Sequence, residues 1–387
     1  MHCKICNGKT EEVLDFGHQP LANSFLANLA DPEIYYPLKM VICKECWTAQ
    51  LEHFQPASKI FNDKYIYYSS QSPANLTHAK EYVDMITQKF AIKNVLEIGS
   101  NDGYMLQYFK EKGIQSLGVD PAIGCSMEAT KKGITAITAF FSKALSKKLP
   151  QFDLICGINV LAHQPNLLDF VQGLKFCLAP NGVITFEFPY LFDLLSNVQF
   201  DTIYHEHYYY FSLFSLDSIF TKCGLTIFDV DHIPQHGGSL RIYAGHHQIQ
   251  GAEFKELLAA ELDKFVNRIE LYKDFGLKSM IIRRNFLSAI EGKRVVAYGA
   301  AAKGNTFLNF CRPESVMCSV DRSIHKQHKY LPGSHLLVND EASIRDLEPD
   351  LVLITAWNLK DEIMEQLKYI REWDGKFIIA IPKLEII

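Results

Sequence analysis

Three groups of residues in this sequence have the types and spacing to do chemistry, and the first is a turn. The apolar run at Val95-Leu96 leads through Glu97-Ile98 into Gly99-Ser100-Asn101-Asp102-Gly103, and the next apolar run, at 116–119, closes on Asp120. Glycines let a backbone approach a ligand, and an acid at the tip of the second strand accepts ribose hydroxyls. On this reading Glu97, Gly99 and Gly103 shape a nucleoside pocket and Asp120 takes the ribose. Asn101, Asp102 and Asn159, at neighbouring strand tips, are placed for the rest of the ligand. The spacing is Glu-x-Gly-x-x-x-Gly, whereas a pyrophosphate calls for Gly-x-Gly-x-x-Gly opening a helix. A nucleoside without phosphates, S-adenosylmethionine, is therefore the expected guest, and it points to methyl transfer.

The second group is Cys3, Cys6, Cys43 and Cys46, two C-x-x-C pairs. Four thiolates at this spacing form the tetrahedral shell of a zinc ribbon. A closed shell leaves no open position for water, so the expected ion is structural and supplies folding energy to a block poor in large apolar residues. The other six cysteines (Cys125, Cys156, Cys177, Cys223, Cys311 and Cys318) are scattered among apolar neighbours and read as reduced, buried, small hydrophobes.

The third group is Tyr204-His205-Glu206-His207-Tyr208-Tyr209-Tyr210. Taken alone it allows three readings: a polar loop with aromatic packing, a metal site, or an acid/base centre. The last needs only a histidine near neutral pKa and a carboxylate to orient it.

These groups need elements to position them. Residues 73–90 carry an apolar stripe of helical period, and from residue 94 strands and helices alternate. Strands are expected at 94–98, 116–119, 154–158 and 183–188, which is the pattern of a parallel, doubly wound sheet. A charged, periodic segment from Glu253 to Ile290 predicts one or two long helices. A second alternating unit follows, with strands at 294–299, 316–320, 351–354 and 376–380. The expected fold class is α/β with three parts. Residues 1–75 form a zinc-binding module, 76–250 a Rossmann-like methyltransferase domain, and 251–387 a helical connector with a second Rossmann-like domain. The net charge of −5 argues against a general nucleic-acid binder. No apolar run reaches the roughly 18 residues that cross a bilayer. Opening on a cysteine motif without a signal peptide, the chain is expected in the cytoplasm.

Over essentially its whole length the chain resembles the sugar C-methyltransferases that build branched deoxysugars. The resemblance rests on the paired C-x-x-C, Pro20-Leu21-Ala22-Asn23, Tyr65-Ile66-Tyr67-Tyr68-Ser69-Ser70 and Leu96-Glu97-Ile98-Gly99. It continues in Asn159-Val160-Leu161-Ala162-His163, Asp201-Thr202-Ile203-Tyr204-His205-Glu206-His207 and His236-Gly237-Gly238-Ser239-Leu240-Arg241. Tyr298-Gly299-Ala300-Ala301-Ala302-Lys303-Gly304, Asp321 and Pro332-Gly333-Ser334 complete it.

The resemblance implies C-3 methylation of a nucleotide-linked 4-keto-6-deoxyhexose, on dTDP or GDP. His207 would be the base, with Glu206 setting its tautomer or basicity, and Tyr204, His163 and Tyr67, with Tyr65 and Tyr68 beside it as alternatives, would be active-site partners. The turn at 299–304 would hold the substrate diphosphate through Lys303 and a helix N-terminus, with Asn305 beside it. The glycine-containing run at 236–241 is expected to face the substrate, bringing His236 and Arg241 to it. Competing expectations are methylation at C-5 or at oxygen, and a zinc-ribbon adaptor with an inactive methyltransferase domain.

Overall fold

The computed structural model describes residues 2–387 apart from Asp63, Lys64, Ile66 and Phe265, and apart from the side chain of His236. Ile66 of the Tyr65–Ser70 run and the expected substrate ligand His236 thus fall, wholly or by side chain, outside the described residues.

Among the described residues, three sheets organise the chain. The first begins with β1 (Thr10–Pro20), β2 (Tyr35–Cys43) and β3 (Ala49–Leu51), antiparallel throughout. Leu14 and Phe16 on β1 are buried with Met40 and Ile42 on β2, so period-2 apolar alternation builds one core face.

A helix at Pro73–Lys89 leads to the second sheet. Ser72 caps it, its hydroxyl accepting from the Asn75 amide at 3.3 Å, and Pro73 takes the first helical position, where a missing N–H costs nothing. Ala79, Tyr82, Val83 and Ile86 are buried at the spacing of one helical face. The parallel strands β4 (Asn94–Ile98), β5 (Gln115–Asp120), β6 (Ala136–Thr138), β7 (Phe152–Ile158) and β8 (Leu178–Pro189) follow. Every strand expected in this block is present.

The run Tyr209–Tyr210 forms a two-residue strand, β9, that leaves this block and pairs with β3 in the first sheet, Ala49 opposite Tyr210 and Gln50 opposite Tyr209. The second sheet then closes with β10 (Thr226–Ile233) and β11 (Ser239–Gly245), in the order β10-β11-β8-β7-β4-β5-β6. Here the structure departs from the all-parallel expectation, because β10 and β11 run antiparallel to their neighbours. The link between them is too short for a crossover, and Gly237 and Gly238, at φ of 92° and 115°, turn the chain directly back.

Helices at Ala252–Lys264 and Ile269–Ile290 connect to the third sheet. Its strands are β12 (Val295–Tyr298), β13 (Val316–Val320), β14 (Val338–Asn339), β15 (Leu351–Ile354), β16 (Lys376–Ile379) and β17 (Glu385–Ile386). They are ordered β14-β13-β12-β15-β16-β17, and only β17 is antiparallel.

Glu261 in the first connector helix anchors the chain just beyond β9. It is 1% exposed, and its carboxylate accepts from the Leu213 amide, the Phe214 amide and the Tyr190 hydroxyl, each at 2.7 Å. Leu213 and Phe214 open the Leu213–Lys222 helix, whose first amides have no intrahelical acceptor. Glu261→Ala leaves three buried donors unpaired, and urea denaturation should register a loss of about 3 kcal/mol. A loss within experimental error would show that these groups find other partners.

Candidate active site and zinc centre

The two cysteine pairs fold into matching knuckles. Asn7 and Trp47, each following the second cysteine of its pair, adopt left-handed φ of 65° and 52°. Their amides donate back to the carbonyls of Cys3 and Cys43 at 3.0 and 3.1 Å. The four sulfurs lie within 4.8 Å of one another, Cys3–Cys46 at 3.6 Å and Cys6–Cys43 at 3.5 Å. Four thiolates bound at ~2.3 Å to one tetrahedral ion stand about 3.8 Å apart, so the set fits zinc. Backbone amides of Ile5, Gly8, Glu45 and Cys46 point at the sulfurs from 3.3–3.5 Å and stabilise their negative charge. The remaining six cysteines are free and buried, as expected.

The knuckles connect to the histidine loop through Gln50. Its side-chain oxygen accepts from the Lys4 amide at 3.2 Å and from Cys3 Sγ at 3.7 Å, and its backbone pairs with Tyr209. Next to it the Leu51 amide donates to Tyr208 O at 2.9 Å, and the Tyr208 amide donates to Ala162 O at 2.8 Å. The histidine loop is thereby pinned between the zinc-binding sheet and the turn after β7.

Within that loop His207 is 7% exposed. Its Nδ1 lies 3.0 Å from the Thr202 carbonyl, which only accepts, so Nδ1 carries the hydrogen. Nε2 is then a lone pair, and it accepts from the Tyr204 hydroxyl at 2.9 Å. The tautomer is set by Thr202 O; Glu206 instead accepts from Asn23 Nδ2 at 2.6 Å. Burial raises the Glu206 carboxyl to about 7. His163 packs edge-on to His207 with ring centroids 4.9 Å apart, and desolvation lowers it to about 4, so its ring is neutral at physiological pH. His205 turns away and packs on Tyr36.

Tyr67 retains 47% of its surface, yet desolvation pushes its phenol above the usual tyrosine value, with Asp102 and Glu206 both adding to the rise. Tyr65, the alternative in the same run, is also desolvated and feels Glu206 most among the charged groups.

The turn after β4 is built for a close approach. Gly99 has φ of 71°, and a Cβ there would meet Val160 at 2.9 Å. Glu97 is fully buried, and neither carboxylate oxygen has a hydrogen-bond partner among the described residues, leaving a buried acceptor for a ligand donor. Asp120 accepts from the Asn101 amide at 2.9 Å and the Ala122 amide at 2.8 Å, and burial lifts it to about 6. Each oxygen keeps a further lone pair for a hydroxyl. The orphaned Glu97 and the open Asp120 fit S-adenosylmethionine.

Asn101 and Asp102 have different work in this structure. Asn101 accepts from the Ser69 amide at 2.8 Å and donates to Tyr67 O at 3.0 Å. Asp102 binds the Ser70 hydroxyl and Lys132 Nζ, the latter at 3.0 Å. Both strap the Tyr67–Ser70 segment over the turn. Asn159, at φ of 55°, follows β7, and its amide donates to Glu187 O at 2.8 Å.

In the third sheet Lys303 lies over the Trp357 ring at 4.8 Å, and burial lowers its ammonium against the opposing pull of Asp201. Trp357 Nε1 donates to Asp201 Oδ2 at 2.8 Å, joining this sheet to the histidine loop. Gly237 faces Trp357, where an added Cβ would stand 2.2 Å from the indole. Arg241 does not join them. It lies within β11, its guanidinium bound to Glu187 at 2.6 Å and Asp231 at 3.2 Å, because its strand position aims it into the second sheet. Asn305 is 1% exposed and sits inside the Ala302–Cys311 helix packing. Asn23, Asp201 and Thr202 entered the sequence reading only as parts of motifs, with no role assigned, and Trp357 did not enter it. Trp357 alone had a usable signal, its place just past the carboxyl end of a parallel strand.

Three family descriptions match in order: "Putative zinc binding domain" at residues 3–61, "Methyltransferase domain" at 71–230 and "C-methyltransferase C-terminal domain" at 234–382. The C-methyltransferase NovU of Streptomyces niveus is 32% identical over an alignment of 407 positions, gaps included, covering all of this chain and 96% of that protein. A ubiquinone biosynthesis O-methyltransferase of Histophilus somni is 23% identical over 35% of this chain and 61% of its own. Among solved structures, magnesium protoporphyrin IX methyltransferase from Synechocystis PCC 6803 overlaps 49% of this chain and 89% of its own at 15% identity and a TM-score of 0.35.

Cys43→Ser should lower the zinc content of the purified protein from about one ion per chain to well below half. In hydrogen-exchange mass spectrometry, amides at 203–211 should then exchange faster, because β9 rests on the zinc-binding sheet. Unchanged exchange in a zinc-free variant would separate the ion from the loop.

Proposed function

This chain belongs to the sugar C-methyltransferase family and is an S-adenosylmethionine-dependent methyltransferase, and we propose that it methylates C-3 of a nucleotide-linked 4-keto-6-deoxyhexose. The observation that carries this reading is the Tyr204–His207 pair. It offers a hydroxyl donor and an imidazole lone pair 2.9 Å apart. In a 4-keto sugar the acidic C-3 hydrogen and the C-4 oxygen sit on neighbouring ring atoms. A donor and a base this close can face both at once.

The steps follow from the groups present. His207 Nε2 takes the C-3 proton while Nδ1–H stays on Thr202 O, which holds the ring as positive charge develops. Tyr204 turns its hydroxyl from Nε2 to the C-4 oxygen and stabilises the enolate. His163, neutral beside His207, adds no repulsion to the imidazolium. Tyr67 and Glu206 flank the sugar. When bound, S-adenosylmethionine supplies an electrophilic methyl group on a sulfonium, and Glu97, Gly99, Gly103 and Asp120 hold that ligand. Lys303, softened by burial and seated on Trp357, is the cation offered to the diphosphate. The four thiolates Cys3, Cys6, Cys43 and Cys46 hold zinc away from the chemistry.

His207→Asn should abolish methylation of dTDP-4-keto-6-deoxyglucose while S-adenosylmethionine still binds. Tyr204→Phe should lower kcat on the order of 100- to 1000-fold. In deuterated buffer the wild type should wash hydrogen out of C-3 and no other carbon. Exchange at C-5, or methyl transfer without any exchange, would overturn the assignment of position.

Ionised Asp120 can accept from both ribose hydroxyls, whereas protonation turns one of its oxygens into a donor and weakens the contact. Its carboxyl is raised to about 6, so S-adenosylmethionine affinity should be constant above pH 7 and weaken as pH falls through 6. Calorimetric titration across this range tests it, and Asp120→Asn should remove the pH dependence.

A further inference from the structure

Asn23 comes from the segment between β1 and β2, far in sequence from the histidine loop, yet its amide meets a side chain of that loop. The segment is clamped at both ends. Pro20 pairs with Tyr35 in the first sheet, and Leu26 exchanges backbone hydrogen bonds of 3.0 and 2.8 Å with Tyr330 of the C-terminal part. Between them Ala22 is buried, and Asn23 Nδ2 donates to Glu206 Oε1 at 2.6 Å.

We propose that Asn23 is a positioning residue: its amide orients Glu206 and favours the carboxylate, keeping a negative charge available in the loop when His207 gains its proton. The surroundings explain why a donor is needed. Glu206 is 3% exposed, and burial alone drives it toward the neutral acid. The phenols of Tyr65, Tyr67, Tyr204 and Tyr208 surround it. His163, packed on His207, is neutral. Asn23 supplies the opposing hydrogen bond, since a donor to an ionised carboxylate stabilises that form. The zinc-binding block therefore contributes a side chain to the centre as well as a scaffold. The kinetic part of this inference rests on the proposed methylation; the state of Glu206 does not.

The test is a double-mutant cycle with two readouts. The carboxylic-acid C=O infrared band that disappears in Glu206→Gln reports the Glu206 protonation state without substrate. In Asn23→Ala its midpoint should move up by about one pH unit. With dTDP-4-keto-6-deoxyglucose, Asn23→Ala should lower kcat at pH 7 by about 10-fold and shift the acidic limb of the pH profile upward. S-adenosylmethionine affinity should stay within about twofold. In the Glu206→Gln background the same substitution should change kcat by less than about twofold, because its effect runs through the carboxylate. Asn23→Ser keeps a donor, should restore part of the midpoint, and covers the case in which the alanine variant does not fold. An unmoved infrared midpoint, or an equal loss in both backgrounds, overturns the proposal. A wild type inactive on the sugar would instead overturn the proposed substrate and leave the infrared result to decide Asn23.

Discussion

The pairing of β3 with β9 is the interaction on which the site depends. A two-residue strand cannot hold itself in water, because it makes too few ladder bonds to offset the entropy of ordering. Tyr209–Tyr210 is ordered because Ala49 and Gln50 already stand in a sheet, and that sheet rests on the cysteine knuckles. Everything just before β9 inherits its place from this contact. Tyr208 is fixed by Leu51 and Ala162, and His207 is then delivered beside Tyr204 and His163. The cysteine knuckles thus connect to the histidine loop through the Gln50 side chain and backbone hydrogen bonds.

The two larger sheets use the same device at the carboxyl ends of their parallel strands. Asp120 ends β5 and binds the Asn101 and Ala122 amides; Asp321 follows β13 and binds the Ala300 amide at 2.9 Å and the Ser323 amide at 2.8 Å. In each case an acid at a strand tip fixes the glycine-bearing turn of its neighbour. They differ in charge balance. Asp321 also holds Lys326 Nζ at 3.0 Å, whereas Asp120 is met by backbone donors and is lifted toward neutrality by burial.

Desolvation sets the electrostatic character of the candidate site. It lowers His163 and Lys303, raises Glu206, and raises the phenols of Tyr67 and Tyr204. Each shift moves a group toward its uncharged form. Charge created during a reaction there is met by fixed hydrogen bonds, such as Thr202 O on His207 Nδ1, with little competing water.

Periodicity and spacing were enough for the parts whose information is local. The strands near 94–98 and 154–158, the helix after Pro73 and the four-cysteine shell follow from side-chain alternation, capping and ligand spacing. The resemblance of whole motifs to sugar C-methyltransferases likewise needed no coordinates. What the sequence could not express was which distant residues meet. Arg241 looked like a ligand-facing residue beside a glycine pair, and only strand pairing showed its guanidinium consumed by Glu187 and Asp231. Glu206 looked like the partner of His207 because they are adjacent, but a carbonyl five residues upstream sets the imidazole and an amide from the first sheet's side takes the carboxylate. Sequence fixes which groups exist and how each short segment folds. Their partners are chosen by packing among elements far apart in the chain, because hydrogen bonds act over about 3 Å and only the assembled sheets bring such atoms that close.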